Sequence, residues 1–216
     1  MTLRPRLWVL ASAAIAIVGG CWWFNRTADF TNLPPRADGP WVAFGDSLTQ
    51  GVGASEGNAY PAILSRSLGV PILNLGVSGD TTEGGLKRLD GLAEQRPRVV
   101  LLCLGGNDSL QRVPYERTFA NLAAMIDRLH VEGTFVMLIG VRSASLRDSN
   151  GKHFARLARE KSVLYVPDIL RGLAFKPIYM SDAIHPNDEG YKRIAARLEK
   201  ALRPLLPQLT GTASSQ

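Results

Sequence analysis

The sequence predicts an α/β protein, a three-layer α/β/α sandwich around a five-stranded parallel sheet. Short apolar runs without polar alternation recur along the chain, and segments of helix length separate them. Strands that are apolar on both faces are typical of a parallel sheet covered by helices on both sides. Small, polar, Gly-rich turns follow the first three runs, where such a sheet binds its ligands. The strand order expected for this architecture is flavodoxin-like.

The predicted elements alternate along the chain. Strands are expected at 41–45, 70–75, 98–104, 134–139 and 163–166. Helices are expected at 60–68, 83–95, 115–132, 151–161 and, as the closing element, 187–202. Pro40 precedes the first apolar run and Gly45 ends it, a pattern typical of a short buried strand. The 216 residues, 45% of them hydrophobic, suffice for one domain with an ordinary core.

Residues 1–24 have the pattern of a membrane signal. Arg4 and Arg6 precede a stretch, 7–24, that carries no charge and that would just cross a bilayer core at about 1.5 Å per residue. Two interpretations remain open: an uncleaved anchor with its tryptophan pair at the interface, or a lipoprotein signal with Cys21 as the lipidated residue. The anchor is favoured because it uses the tryptophan pair. The expected location is the bacterial cell envelope, with the anchor in the inner membrane and the remaining chain in the periplasm.

The remaining chain divides into three predicted regions. Residues 25–40 are rich in Pro and lack an apolar period, which indicates a linker; 41–206 form the folded domain, and 207–216 a flexible tail. The formal charge of +6 could indicate a nucleic-acid partner. However, the cations are scattered along helical faces without a basic and aromatic stripe, so no such partner is expected.

Neither cysteine is expected to do redox chemistry. Cys21 lies in the amino-terminal apolar stretch and Cys103 in an apolar strand, where burial disfavours a thiolate, so no disulfide is predicted. No metal is expected, because one isolated His and scattered carboxylates are too few ligands. A dinucleotide site at Gly51-Val52-Gly53 is disfavoured because the third Gly is misplaced and no acidic ribose ligand follows the second strand. No cofactor is therefore predicted.

The three turns that follow the first three strands should meet at one edge of the sheet. They are Gly45-Asp46-Ser47, Gly76-Val77-Ser78-Gly79-Asp80 and Gly105-Gly106-Asn107-Asp108. The backbone N–H groups of Ser47 and Gly79 and the side-chain amide of Asn107 could together form an oxyanion hole. The alternative is that Ser47 caps the next helix and Asn107 bonds its own turn.

A serine nucleophile needs a base, and the chain has three histidines. His130 at a helix end and His153 at a polar helix start suit structural roles. His185 lies in a loop before the last helix, three residues after Asp182, so that its imidazole could contact this carboxylate on one side and Ser47 on the other. The alternative is that Asp182 and His185 merely cap the last helix.

Four blocks resemble the SGNH, or GDSL, hydrolase family in order and approximate spacing: Gly45-Asp46-Ser47-Leu48, Ser78-Gly79-Asp80, Gly105-Gly106-Asn107-Asp108 and Asp182-Ala183-Ile184-His185-Pro186. The likeness covers about 41–206 and is greatest to the bacterial acyl thioesterases, lysophospholipases and arylesterases. The resemblance implies Ser47 as nucleophile, Gly79, Asn107 and the Ser47 N–H as oxyanion donors, and Asp182 with His185 as orienter and base. It also implies hydrolysis of a small-molecule ester or thioester through an acyl-enzyme. The protein is expected to be a monomer. The second Gly of Gly-x-Ser-x-Gly is missing, which disfavours the larger α/β-hydrolase fold.

The sequence leaves the substrate open. The segments 142–150 and 173–180 are expected to flank the pocket and could bind an acyl chain, or could be surface loop and core packing. Lysophospholipids and acyl-CoA-like thioesters are candidate substrates. A carbohydrate O-acetylesterase and a non-catalytic, membrane-anchored binding domain are the alternative functions.

Overall fold

A five-stranded parallel sheet forms the centre of the protein, as seen in a computed structural model that describes residues 29–141 and 150–211. Its strands are β1 (Trp41–Gly45), β2 (Ile72–Gly76), β3 (Val99–Cys103), β4 (Phe135–Ile139) and β5 (Leu164–Val166). Their order across the sheet is β2-β1-β3-β4-β5, and every neighbouring pair is parallel. The predicted α/β sandwich and its flavodoxin-like order are confirmed.

Helices cover both faces of the sheet. In chain order they are α1 (Ser47–Gln50), α2 (Tyr60–Leu68), α3 (Thr82–Lys87), α4 (Leu89–Ala93), α5 (Gly106–Leu110), α6 (Tyr115–Val131), α7 (Asn150–Glu160), α8 (Asp188–Leu202) and α9 (Leu206–Thr210). One core lies between the sheet and α2 with α8, and the other lies between the sheet and α4, α6 and α7. Every residue of β1, β3 and β4 is buried, because these central strands are covered on both sides.

The predicted helix 83–95 is two helices in the structure. Arg88 ends α3 and precedes α4 with φ −102° and ψ 6°, outside the helical region. Its side chain binds groups at the sheet edge, and this tertiary contact takes precedence over the continuous helical pattern. The short helices α1 and α5 were not predicted, because four or five small polar residues show no apolar period.

The described part of the predicted linker 25–40 packs against the domain. The Asn32 side chain donates to the carbonyls of His130 and Thr134 at 3.0 Å each, and the Phe30 ring meets Phe135 edge-on at 6.0 Å. The predicted flexible tail, 207–216, is helical as far as Thr210. Leu209 is buried in it, and its carbonyl accepts from Arg98. Both ends of the folded domain therefore extend beyond their predicted boundaries.

The predicted inner-membrane localisation has to be corrected. Within residues 29–141 and 150–211, no helix combines the length and the apolar character needed to cross a bilayer. The segment 7–24, which was expected to form the anchor, and Cys21, the alternative lipidation site, lie outside the described residues. The membrane-anchored assignment is therefore withdrawn.

Candidate active site

Ser47 lies at the carboxyl edge of the sheet, two residues beyond the end of β1. Asp46 begins α1 as its N-cap, because its side chain accepts the backbone N–H of Leu48 at 3.0 Å. Ser47 is the first residue of this helix, where backbone N–H groups have no partner within the helix. Only 8% of Ser47 is exposed. The fold thus holds this hydroxyl in a sheltered place in the first turn of a helix.

The loop before α8 brings a histidine and an aspartate to this serine. His185 Nε2 lies 3.0 Å from Ser47 Oγ, although the two residues are 138 positions apart in the chain. On the other side of the ring, His185 Nδ1 lies 2.7 Å from Asp182 Oδ2. The N-cap of α8 is Asn187, whose side chain accepts from Gly190 N, so Asp182 and His185 do not cap this helix.

The Asp182 carboxylate is held in its ionised form. Its other oxygen accepts the backbone N–H groups of Ile184 at 2.8 Å and His185 at 2.7 Å. The hydrogen bond to the His185 ring, followed by these two backbone bonds, lowers the pKa of Asp182 to about 2. A carboxylate at this place favours a proton on Nδ1 of His185, which leaves Nε2 as the acceptor facing Ser47.

The two other predicted donor residues lie in the turns after β2 and β3. Gly79 has a φ of +79°, a left-handed conformation that favours glycine, and nothing lies within 4 Å of where a side chain would begin. Asn107 Nδ2 donates to the carbonyl of Asp80 at 2.8 Å and lies 3.5 Å from Asp46 Oδ2. The second contact lies at the long limit of a hydrogen bond, so it is the weaker of the two.

An arginine that sequence reasoning missed connects these turns. Arg88 Nε donates to the Asp80 carboxylate at 2.8 Å, while its two terminal nitrogens donate to the carbonyls of Leu75 and Gly45 at 3.0 Å each. The guanidinium lies 3.8 Å above the centre of the Phe44 ring. Because Asn107 binds the Asp80 carbonyl, the network links all three turns. In the sequence, Arg88 looks like an ordinary solvent-facing helix residue, so nothing indicated this role.

Comparisons with known proteins identify the family of the chain. The model of the GDSL-like Lipase/Acylhydrolase family matches residues 43–193. The chain belongs to this family. Esterase TesA of Pseudomonas aeruginosa is 29% identical in an alignment 177 positions long that covers 76% of this chain and 88% of that protein. The Escherichia coli K12 protein named thioesterase 1/protease 1/lysophospholipase L1 is 32% identical over 174 residues, covering 76% of this chain and 84% of that protein. A crystal structure of TesA covers 77% of this chain and 99% of its own, with a TM-score of 0.72 and 29% identity.

A cavity of 490 Å³ in this GDSL hydrolase is lined by Ser47 and His185. Most of its lining is apolar and includes Leu48, Leu110, Val141, Leu170, Phe175 and Met180. Of the two segments predicted to flank the pocket, 173–180 contributes to this wall, whereas 142–149 lies outside the described residues. The hydrolase therefore has an apolar chamber directly beside the predicted nucleophile.

Asp46 is a second residue of this hydrolase whose importance the sequence did not reveal. The carboxyl is 2% exposed, and this burial is the main reason why its pKa rises to about 6. The Leu48 N–H opposes the shift, and the nearby Asp80 carboxylate adds to it. Asp46 thus titrates in the same range as histidine, beside the serine.

The remaining candidate residues of the hydrolase lie elsewhere. Cys103 is fully buried, and desolvation raises the pKa of its thiol, as expected for a core residue. His153 stacks on Tyr115 with ring centroids 4.4 Å apart, and His130 lies in the last turn of α6. Neither histidine lines the cavity. Within the described ranges, no group of three or more His, Cys, Asp or Glu side chains is arranged to hold a metal ion.

Replacing Arg88 by Lys should lower kcat by about 10- to 100-fold with little change in KM. A lysine cannot reach the Asp80 carboxylate and two carbonyls together, so the turns that carry Gly79 and Asn107 should shift. Oxyanion donors act mainly in the transition state, which places the loss in kcat. Steady-state kinetics on a soluble ester measure it. Arg98→Lys is the matched control, because Arg98 binds two backbone carbonyls at the opposite sheet edge. An equal loss of kcat in this control would contradict the positioning role of Arg88.

Proposed function

We propose that this hydrolase is a serine esterase that cleaves carboxylic esters or thioesters through an acyl-enzyme. The observation that carries the proposal is the continuous hydrogen-bond chain from Asp182 through His185 to Ser47, which ends in an apolar cavity. Such a chain is the arrangement that activates a serine hydroxyl.

The proposed reaction has two halves. His185 Nε2 takes the proton of Ser47 Oγ as this oxygen attacks the substrate carbonyl, and the oxyanion is bound by the N–H groups of Ser47, Gly79 and Asn107. His185 then gives the proton to the leaving alcohol or thiol, and the acyl-enzyme remains. A water molecule next loses its proton to His185 and attacks the acyl carbon, and His185 returns the proton to Ser47 Oγ as the acid departs.

The apolar cavity supports an acyl chain as the group bound beside Ser47. Its 490 Å³ would be largely unfilled by an acetyl group, and most of its lining is apolar. The names of the relatives, esterase and thioesterase/lysophospholipase, point to the same class of substrate. We therefore favour acyl esters, lysophospholipids and acyl thioesters over acetylated carbohydrates.

A chain-length series tests the proposal. The purified protein is assayed on p-nitrophenyl esters from acetate to palmitate, on acyl-CoA and on lysophospholipid, and it is also treated with a fluorescent alkyl phosphonate. We expect kcat/KM to rise from acetate towards medium chains, and the phosphonate to label Ser47. Highest activity on an acetylated sugar would favour the O-acetylesterase. An absence of both labelling and turnover would favour a binding domain.

A further inference from the structure

Large apolar side chains surround the mouth of the catalytic cavity and are exposed to solvent. These residues, which we call the apolar rim, are Leu110 (60% exposed), Phe175 (78%), Ile178 (67%) and Ile184 (43%). Three of them, Leu110, Phe175 and Ile184, also line the cavity. They come from three separate segments, the end of α5, the loop after β5 and the loop that carries His185. The fold thus assembles an exposed apolar surface around the entrance to Ser47.

Phe175 is exposed in a backbone conformation that is rare for its residue type. Its φ is +63°, a left-handed conformation that is rare for a bulky residue and needs support from the surrounding structure. The support is present on both sides. Arg197 donates to the carbonyls of Ile169 and Arg171 before Phe175, Leu173 is buried, and Tyr179 N donates to the Lys176 carbonyl after it. The loop is therefore fixed in a form that presents a phenyl ring to solvent.

Cations accompany the apolar rim. Arg171 lines the cavity, Lys176 follows Phe175, and Arg112 lies two residues after Leu110. Some surface cations have acidic partners, as in the pairs Lys87–Glu83 and Lys192–Glu189. Among the described residues, by contrast, no carboxylate forms an ion pair with Arg112, Arg171 or Lys176. The segments that form the apolar rim therefore also carry three cations, while Asp46 and Asp168 contribute carboxylates to the cavity lining.

We propose that the apolar rim and these three cations form a docking surface for a lipid aggregate with anionic headgroups. The rim side chains enter the acyl region, and the cations contact the headgroups. A second copy of this chain is a poorer partner, because a two-fold contact would bring the same cations together. The proposal deepens the proposed function, since an acyl chain leaving the aggregate would enter the cavity directly beside Ser47. Docking and hydrolysis are nevertheless measured separately.

The test uses full-length protein carrying Ser47→Ala, so that lipid is not consumed. Binding is measured by sedimentation with phosphatidylcholine vesicles, with and without a minority of phosphatidylglycerol. We expect Arg112→Gln with Lys176→Gln to weaken binding to the anionic vesicles by roughly 25-fold, about fivefold per cation, and to leave binding to pure phosphatidylcholine unchanged. Lys200→Gln is the matched control, because Lys200 lies at the far end of α8. If the double variant, the Lys200→Gln control and the parent protein bound the anionic vesicles with equal affinity, the proposal would be overturned.

A local probe excludes binding through other segments, including 7–24. Phe175→Trp places a fluorophore in the apolar rim, and Val131→Trp places one at a site that is also exposed, 75%, but lies before β4 at the opposite sheet edge. Brominated lipids should quench only the first. Equal quenching of both, or of neither, would overturn the proposal. The cation variants with Ser47 intact should still hydrolyse a soluble p-nitrophenyl ester, because neither residue lines the cavity. Failure of docking therefore leaves the esterase proposal standing, and loss of this hydrolysis would count against both.

Discussion

Ser47→Ala should lower kcat/KM for a soluble ester by about 10³-fold or more, with the protein still folded. The substitution removes the hydroxyl oxygen that lies 3.0 Å from His185 Nε2, so the proposed acyl-enzyme cannot form. The oxyanion donors remain, which accounts for any residual rate above that in water. One hydrogen bond is lost, a change of about 1 kcal/mol in the free energy of unfolding. Steady-state kinetics and thermal unfolding of both proteins measure the two effects.

The control for this variant is Ser78→Ala. Ser78 lies in the turn after β2 at the same sheet edge, and it is exposed, so the same chemical change should leave the rate near that of the wild type. An alkyl phosphonate should label Ser78→Ala and fail to label Ser47→Ala. Turnover that persists in folded Ser47→Ala protein would refute the assignment of the nucleophile.

His185→Ala should produce a loss of kcat/KM of similar size, again about 10³-fold or more. It should also abolish the fall of kcat/KM at acidic pH, which we call the acidic limb of the pH–rate profile. In the proposed mechanism only a neutral imidazole can accept the Ser47 proton, so the wild-type kcat/KM should fall in acid. Asp182 cannot cause this limb. Its pKa of about 2 keeps it ionised until the pH approaches that value, so its contribution is lost only in strong acid.

Among the described residues near Ser47, Asp46 could imitate the limb, since burial raises its pKa to about 6. Asp46→Asn separates the two causes, because the amide keeps an oxygen to accept the Leu48 N–H but does not titrate. We expect the acidic limb to persist in Asp46→Asn and to vanish in His185→Ala. The reverse result would transfer the pH dependence to Asp46. His153→Ala, a change at a stacked surface histidine, should alter neither the rate nor the profile.

Much of the fold was predictable because its signals are local. Each central strand is a continuous apolar run, and the turns that follow β1, β2 and β3 carry Gly with polar residues. The boundaries failed where a distant contact decided them. Arg88 divides a predicted helix because it binds the ends of two strands, and Leu209 makes a predicted tail helical because it packs into the core.

The candidate site was likewise predictable where its signals are local and unpredictable where they depend on distant contacts. The residue types and blocks around Ser47, Asn107 and His185 were sufficient to nominate them. The raised pKa of Asp46 and the hydrogen bonds of Arg88 to the turns were not predictable. Burial and the meeting of three turns depend on distant segments, so they leave no pattern in the local sequence.

The sequence by itself determined the order of strands and helices, the polar turns at the sheet edge and the family to which the chain belongs. Only the tertiary structure decided that His185 meets Ser47 at 3.0 Å, that Arg88 joins the three turns, and that an apolar rim surrounds the cavity. The physical reason is the distance along the chain over which each interaction acts. Apolar periodicity and turn chemistry act over a few residues, whereas hydrogen bonds, burial and charge act between segments that only folding brings together.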